Sequence, residues 1–572
     1  MRAYFWTALI LCCIFALIRV VRMIGTSRPA AAARLGSFLY WGALAIIFAL
    51  AAWLRFRLTL DPIADPDTWG YLSPALRKLT GAEFGHTHGR NFTYPGSLFL
   101  LLKVCPDFRA ITVVQHLLGL VAGAMLLLTW RRTRVFLPFP RVAHDVHAWL
   151  GLMAAAMYLL AAEPIRIEMQ IRPEGVCAFL FSINIYLVVQ FIACRFIEYR
   201  RFPAMAFGAG AVLSSILLAS ARASFWFVAI VALLPVGIFF IRPGWWREKL
   251  AIGGSTVASA ALLLLPEQLL SRHDEVSHTF LPTTLFVVHA DLIRDQIARD
   301  LKQNVELPYS RAWLEHVETL LSTAIAESHA ANANTRRYAV LGFDPDDLRY
   351  KPSSVSEQLR RDFRNDLPAL CAFYRFCYWR IWQQQPMLML KKIVRQMAVF
   401  YAPKCPAYRL AKSLPLSNAY QQGVASLQRL DYPKVWAAYL PASDFMQRTR
   451  SLARDAPVLE QSSYIRGPLT VLAQTYRPLL LVALILGGVV LFSQTHRRSL
   501  GWLAGLVLFL YSYNFAACLE VAVVQSLEVG RFVIIQAIFT ILVQFLSIWF
   551  IVEFVLNQRA IRTPDKCDWS AI

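Results

Sequence analysis

Between Asp61 and Ser97 the sequence DPIADPDTWGYLSPALRKLTGAEFGHTHGRNFTYPGS gathers Asp61, Asp65, Asp67, Glu83, His86, His88 and Arg90. Carboxylates at that density can take a proton from a hydroxyl, ligate a divalent cation, or simply sit solvated in a turn. Asp65 and Asp67 flank Pro66 just before WGYLSPALRKL, whose apolar residues recur at helical spacing. The spacing predicts a surface helix with the acidic pair at its N-terminus. His86 and His88 have the donor atoms of a metal site, but HxH in a Gly/Thr-rich loop is more often ordinary polar loop. His289 and Asp291 in FVVHADLIRD pose the same choice.

The elements that must position these residues are apolar. FLYWGALAIIFALAAWL (Phe38 to Leu54) precedes the polar stretch, and Ile111 to Leu128 follows it. Hydrophobic residues make up 57% of the 572 and charged ones only 16%, with a mean hydropathy of +0.46. That balance excludes an ordinary soluble domain, and the continuous apolar runs exclude an alternating β-barrel. The formal charge of +22 would suit nucleic acid, but the basic residues cluster beside apolar runs in the positive-inside pattern. No nucleic-acid partner is expected; membrane lipids are.

The expected fold is therefore an all-α polytopic membrane protein of about 11 transmembrane helices, each near the length a bilayer demands. The predicted spans are 5–21, 36–58, 110–130, 146–162, 175–194, 204–220, 224–241, 250–270, 472–492, 500–518 and 532–556. In the first, most of the positive charge follows the apolar core, which favours a retained helix over a cleaved signal peptide. Arg131, Arg132, Arg134, Arg195, Arg200, Arg201, Arg242, Arg247 and Lys249 mark the cytoplasmic ends. The chain divides into an N-terminal transmembrane module (1–270) with its first outer loop at 59–97, an extracytoplasmic, largely α-helical soluble region (271–470), and C-terminal transmembrane helices with a short cytoplasmic tail (471–572).

In the middle region, helical periodicity runs over Ala312 to Ser328 and Leu359 to Trp382, while FDPDD and YKPSS read as loops. Pro386 to Tyr401 suits either a helix in the membrane interface or one packed on its own domain. Cys371, Cys377 and Cys405 offer one disulfide or three free thiols, and the absence of CxxC argues against a structural zinc site. No Gly-rich phosphate loop is present, so a nucleotide site is not expected.

Three patches in order resemble the GT-C superfamily of polytopic membrane glycosyltransferases, which use sugars linked to polyprenyl phosphates. They are ADPDTWGYL with the YPG re-entry at Tyr94 to Gly96, RPEGVCAFLFSINIYL opening the fifth predicted helix, and SLEVGRFVII before the last. The resemblance implies Asp67 or Asp65 as the base that deprotonates the acceptor hydroxyl. It implies Glu174 as a second carboxylate, for a cation or the acceptor, and Arg531, with Arg90, as the holder of the departing phosphate. Inversion at the anomeric carbon follows from the same resemblance. The chain departs from several members in its extra N-terminal helix, and it lacks the WWD-type motif of the oligosaccharyltransferase branch.

Sugar transfer independently needs one group to remove a proton and others to stabilise phosphate charge, and guanidinium groups suit the second task. Arg166, Arg172, Arg222 and Arg531 lie at predicted outer helix ends, where arginines also serve as plain interfacial anchors. Arg172 joins Arg531 and Arg90 as a candidate for donor phosphate. Tyr71, Tyr94, His86 and His88 are the candidates for an acceptor or donor groove. The expected function is transfer of a sugar from a polyprenyl-phosphate donor to a glycan, lipid or protein acceptor. It would act at the periplasmic or extracellular face of a multi-pass plasma (bacterial inner) membrane protein. No cofactor is required by this reading, and a divalent metal stays open. The alternatives are a lipid-linked glycan flippase or transporter, and a glycan ligase or polymerase.

Overall fold

The computed structural model describes residues 30–84, 90–272, 275–333, 341–428, 438–524 and 530–562. Apolar runs this long satisfy their backbone polar groups internally only as helices, and helix follows helix along the chain. The first ten are α1 (Ala30–Phe56), α2 (Thr68–Leu79), α3 (Thr93–Val104), α4 (Arg109–Thr133), α5 (His144–Leu159), α6 (Ala162–Glu168), α7 (Glu174–Ile192), α8 (Arg201–Ala221), α9 (Trp226–Ile241) and α10 (Trp246–Leu263). Then come α11 (Leu265–Ser271), α12 (Glu275–Val288), α13 (Ala290–Lys302), α14 (Arg311–Asn332), α15 (Pro345–Tyr350), α16 (Val355–Asp362), α17 (Leu367–Gln384) and α18 (Pro386–Phe400). The chain finishes through β1 (Ser413–Pro415), α19 (Leu416–Gln428), α20 (Leu440–Arg454), β2 (Val458–Glu460), α21 (Ser463–Phe492), α22 (Gln494–Val524), α23 (Gly530–Ile534) and α24 (Ala537–Arg562). The two strands form one antiparallel ladder, Ser413 opposite Glu460.

Among the described residues, nine helical segments are long and apolar enough to cross a membrane, and α5 with α6, bent by 54°, makes a tenth if the pair is one span. The chain is a helical, multi-pass membrane protein. The predicted span 5–21 lies outside the described residues. The helices α4, α5, α7, α8, α9, α21, α22 and α24 share one apolar core that includes Trp130, Phe181, Val228, Ala483, Leu503 and Trp549. By contrast α1 leaves Phe38, Leu39, Trp41, Ile46 and Trp53 more than half exposed, as a helix facing lipid would.

Residues 275–400 build a second core around Phe286, Ile293, Val317, Leu359, Phe373 and Met389. Here local chemistry overrides periodicity twice. The helix expected over Leu359 to Trp382 is split, because Arg364 and Asn365 take positive φ (51° and 62°) and Asp366 caps a new helix with Pro368 in its first turn. FDPDD, expected as loop, starts α15: the Asp344 side chain accepts from Asp346 N at 2.9 Å, and Pro345 occupies the first turn. In YKPSS, Ser354 caps α16 through Glu357 N.

One face of α18 buries Met389, Ile393, Met397 and Phe400, while Met387 and Val394 stay exposed. Its Lys392 side chain is largely buried and pairs with Asp291 at 3.2 Å. Cys371, Cys377 and Cys405 are free and buried.

Candidate functional site

The loop carrying the acidic pair is laid against the α6–α7 connection by a short parallel bridge. Ile63 N donates to Met169 O at 2.7 Å, and Ile171 N donates to Ile63 O at 3.0 Å. Thr68 Oγ1 donates to Ile171 O at 3.3 Å, so the start of α2 is fixed to the same connection. Inside this clamp Asp65 Oδ1 accepts from Asp67 N (2.8 Å) and Thr68 N (3.1 Å), the hydrogen bonds of an Asx turn that opens a helix. Its Oδ2 lies against Arg172 Nε.

Asp67 sits differently. Its Oδ1 is 3.1 Å from Arg90 Nη2, its Oδ2 is 3.6 Å from Arg172 Nη2, and its side chain keeps 30% exposure against 11% for Asp65. Glu174, first residue of α7, has Oε1 3.0 Å from Arg222 Nη1 and 4.0 Å from Arg172 Nη1. Arg172 thus touches all three carboxylates, with Arg90 and Arg222 at the two flanks. The Arg90 guanidinium lies across Gly70, where a Cβ would come within 2.0 Å of Nη1, and 5.0 Å over the Tyr71 ring. Arg222 rests on the Phe532 ring at 4.2 Å.

Of these groups Asp67, Tyr71, Arg90 and Arg222 line one side of a cavity of about 180 Å³, with Asp65, Arg172 and Glu174 behind them. Its other side comes from residues 280–350: Phe280, Thr284, Asp346, Arg349 and Tyr350. Arg349 donates from Nη1 to Thr284 Oγ1 at 2.5 Å and lies 4.2 Å over the Phe280 ring. Burial draws its pKa below the ordinary arginine value. A second, apolar groove of about 320 Å³ runs between α3, α4, α7 and α8, lined by Tyr94, Leu98, Val114, Leu118, Phe179 and Leu217. Ala221 lines both.

Tyr71 and Tyr94 meet edge to face at 5.5 Å. Burial first, and then the Glu174 carboxylate, push the Tyr71 phenol up to about 12, and the same causes raise Tyr94 well above its ordinary value. Both therefore stay neutral at physiological pH and act as hydrogen-bonding groups, not bases. Tyr94 OH donates to Gln115 Oε1 at 3.3 Å, and Gln115 Nε2 donates to the carbonyls of Glu168 and Gln170, both at 3.0 Å.

Beneath the α6–α7 connection, Arg55 forms a two-point pair with Glu168 (Nε–Oε2 and Nη2–Oε1, each 2.8 Å), and His116 Nδ1 is 2.9 Å from the same Oε2. Arg55 Nη1 donates to Leu159 O at 2.8 Å. The ends of α1, α4, α5 and α6 are joined at this knot.

The structure brings together Asp65, Asp67, Arg90, Arg172, Glu174, Tyr71 and Tyr94. His86 and His88 lie outside the described residues. Arg531 belongs to α23, next to Phe532; its side chain lies outside the described residues. Arg222, grouped by sequence with ordinary helix-end arginines, is buried in the site. Arg349, Asp346 and Tyr350 were not found by sequence at all. The capping signature in FDPDD was the available signal for the helix that carries them.

Asp61 is held elsewhere, by Arg448 Nε at 2.5 Å. His289 and Asp291 do not form a pair: His289 Nδ1 bonds Leu285 O at 2.8 Å, while Asp291 faces Lys392. No group of three His, Cys, Asp or Glu side chains with metal-ligand spacing occurs among the described residues.

Fold and site together define a polytopic helical membrane protein with an ion-paired carboxylate–arginine cavity beside an apolar groove. Compared with known proteins, the chain matches no family model, no curated protein and no solved structure.

Proposed function

We propose that this protein is a membrane glycosyltransferase that moves a sugar from a polyprenyl-phosphate donor to a hydroxyl of a cell-envelope acceptor. The observation that carries the reading is the neighbourhood of Asp67. Two carboxylates, Asp67 and Asp346, and the arginines Arg90, Arg222 and Arg349 line a single cavity, and a groove suited to an isoprenoid chain shares Ala221 with it.

In this reading the acceptor oxygen attacks the anomeric carbon, the bond from that carbon to the phosphate oxygen breaks, and the acceptor proton passes to Asp67. The leaving phosphate is met by guanidinium groups fixed before the reaction, so little reorganisation is needed as charge develops. Asp65 positions: it sets the start of α2 and holds Arg172. Glu174 orients Arg222 through the 3.0 Å pair. The resemblance adds Arg531 to the phosphate side. The reaction is assigned to the outer face of the membrane, following the positive-inside pattern of the basic clusters.

Purified protein in proteoliposomes, supplied with a polyprenyl-phosphate sugar, tests this. Asp67→Asn is expected to lower transfer by 10²–10⁴-fold, the usual contribution of a positioned general base. Full activity in both Asp67→Asn and Asp67→Ala would sink the assignment. Movement of the lipid-linked sugar across the bilayer with no transfer in the native protein would favour the flippase reading instead.

A further inference from the structure

The carboxylate cavity is not the largest recess in the molecule. At the far end of α1, α4 and α5 a second cavity of about 640 Å³ is lined by Tyr40, Trp41, Arg131, Arg134, His147 and Trp149. Ser37, on its rim, and Arg55, in the knot under the acidic loop, lie on the same helix. Their eighteen-residue separation corresponds to roughly 27 Å of helix rise. That is close to the ~30 Å thickness of a bilayer's hydrocarbon core, so the two cavities lie about one bilayer core apart along α1.

The chemistry of the wall is cationic and aromatic. The Arg131 guanidinium lies 5.6 Å from the Tyr40 ring and 5.2 Å from the Trp41 ring, and its Nη2 reaches Tyr40 OH at 3.4 Å. Arg134 Nη1 is buried and has no hydrogen-bond partner among the described residues. Neighbouring Arg132, outside the cavity, is already paired with Glu198 at 2.7 Å. Arg131 and Arg134 face no carboxylate within ion-pair distance among the described residues. Asp145 on the rim lies 3.9 Å from His144. Beside this pocket, Phe38, Leu39 and Ile46 of α1 remain exposed, a surface that acyl chains can cover. Tyr40, Trp41 and Trp149 are of the residue types that form aromatic belts at headgroup level.

We propose that this cavity binds the headgroup of an anionic glycerophospholipid, its phosphate between Arg131 and Arg134 and its acyl chains along α1. Arg131 is exposed and Arg134 half-buried, and the one buried guanidinium nitrogen, Arg134 Nη1, gains a partner if an anion enters. The apolar face continuous with the pocket selects a lipid over a soluble anion. The inference is independent of any catalytic reading.

Two measurements test it on the full chain. Native protein is incorporated into nanodiscs of phosphatidylcholine with phosphatidylglycerol, and the lipids retained after detergent exchange are quantified by mass spectrometry. With each arginine near a headgroup contributing about fivefold, Arg131→Gln/Arg134→Gln is expected to reduce the preference for phosphatidylglycerol about 25-fold. An unchanged preference, or none in the native chain, overturns the proposal. Separately, a photo-reactive phenylalanine analogue in place of Trp149 leaves the charges intact and is expected to cross-link phospholipid. Cross-linking to residues 1–29, or to a second copy of the chain, overturns it as well.

Discussion

Asp65 and Asp67 are two residues apart and chemically identical, yet their neighbours give them different work. Asp65 accepts two backbone amides and faces Arg172 in a nearly closed environment, so Asp65→Asn leaves Arg172 without its nearest partner. Removing one member of such a pair costs about 3–5 kcal/mol, and a lowered thermal midpoint in detergent is the expected signature. Asp67 is partly exposed at the cavity wall, and Asp67→Asn is expected to leave that midpoint nearly unchanged while removing transfer. The sequence located the acidic pair but not its division of labour, because Arg172 approaches from a different loop. His289 shows the reverse case. Its ring is fully buried, and desolvation, then the charge of Lys392, hold its pKa well below 6.5. The unfolded chain therefore binds a proton that the folded chain refuses. Stability from this residue is present above about pH 6.5 and declines by about 1.4 kcal/mol per pH unit below it until the folded pKa is reached. The melting temperature is expected to fall between pH 7 and 5, and less steeply in His289→Phe.

At the scale of elements, two glycines make opposite predictions from similar distances. A Cβ on Gly119 of α4 would meet Glu168 Oε1 at 2.0 Å. That carboxylate is held by both Arg55 and His116 and has nowhere to move. Gly119→Ala is expected to drive α4 away from α6, shift the loop that carries Arg172, and cost about 1–3 kcal/mol as overpacking does, read as poor thermal stability. A Cβ on Gly70 would also come within 2.0 Å, but of Arg90 Nη1, the far end of a long side chain held by a single part-exposed ion pair to Asp67. Gly70→Ala is expected to preserve the fold and displace the guanidinium, raising KM for the donor with a smaller effect on kcat. Sequence reading recovered the long helices because hydropathy is a property of contiguous residues. It misplaced the break at Phe363–Asp366 and the start of α15, where a cap or a left-handed residue decides the boundary and periodicity carries no information about either.

For the whole molecule, the decisive fact is that the cavity has two sides from distant parts of the chain. One comes from the loops of the membrane bundle, the other from α12 and α15 in the region built on the second core. No local pattern in the sequence announces that meeting, which is why Arg349 escaped notice while Asp67 did not. If the proposed donor phosphate lies in the cavity, Arg349 closes it from above as Arg90 and Arg222 hold it from the side. Arg349→Ala is then expected to raise KM for the polyprenyl-phosphate sugar about tenfold or more, the loss expected for a charge-assisted contact. Arg349→Lys should recover part of that loss, because an ammonium keeps the charge but not the two-point geometry. Arg349 also bonds Thr284, so a merely structural role must be separated from a phosphate contact. Thr284→Val removes that hydrogen bond and leaves the guanidinium charge in place. A near-native KM in Thr284→Val beside a raised one in Arg349→Ala supports the phosphate contact. Equal losses in both, with matching drops in thermal midpoint, would reduce Arg349 to a strut between the two regions and leave Arg90 and Arg222 as the cavity's phosphate ligands.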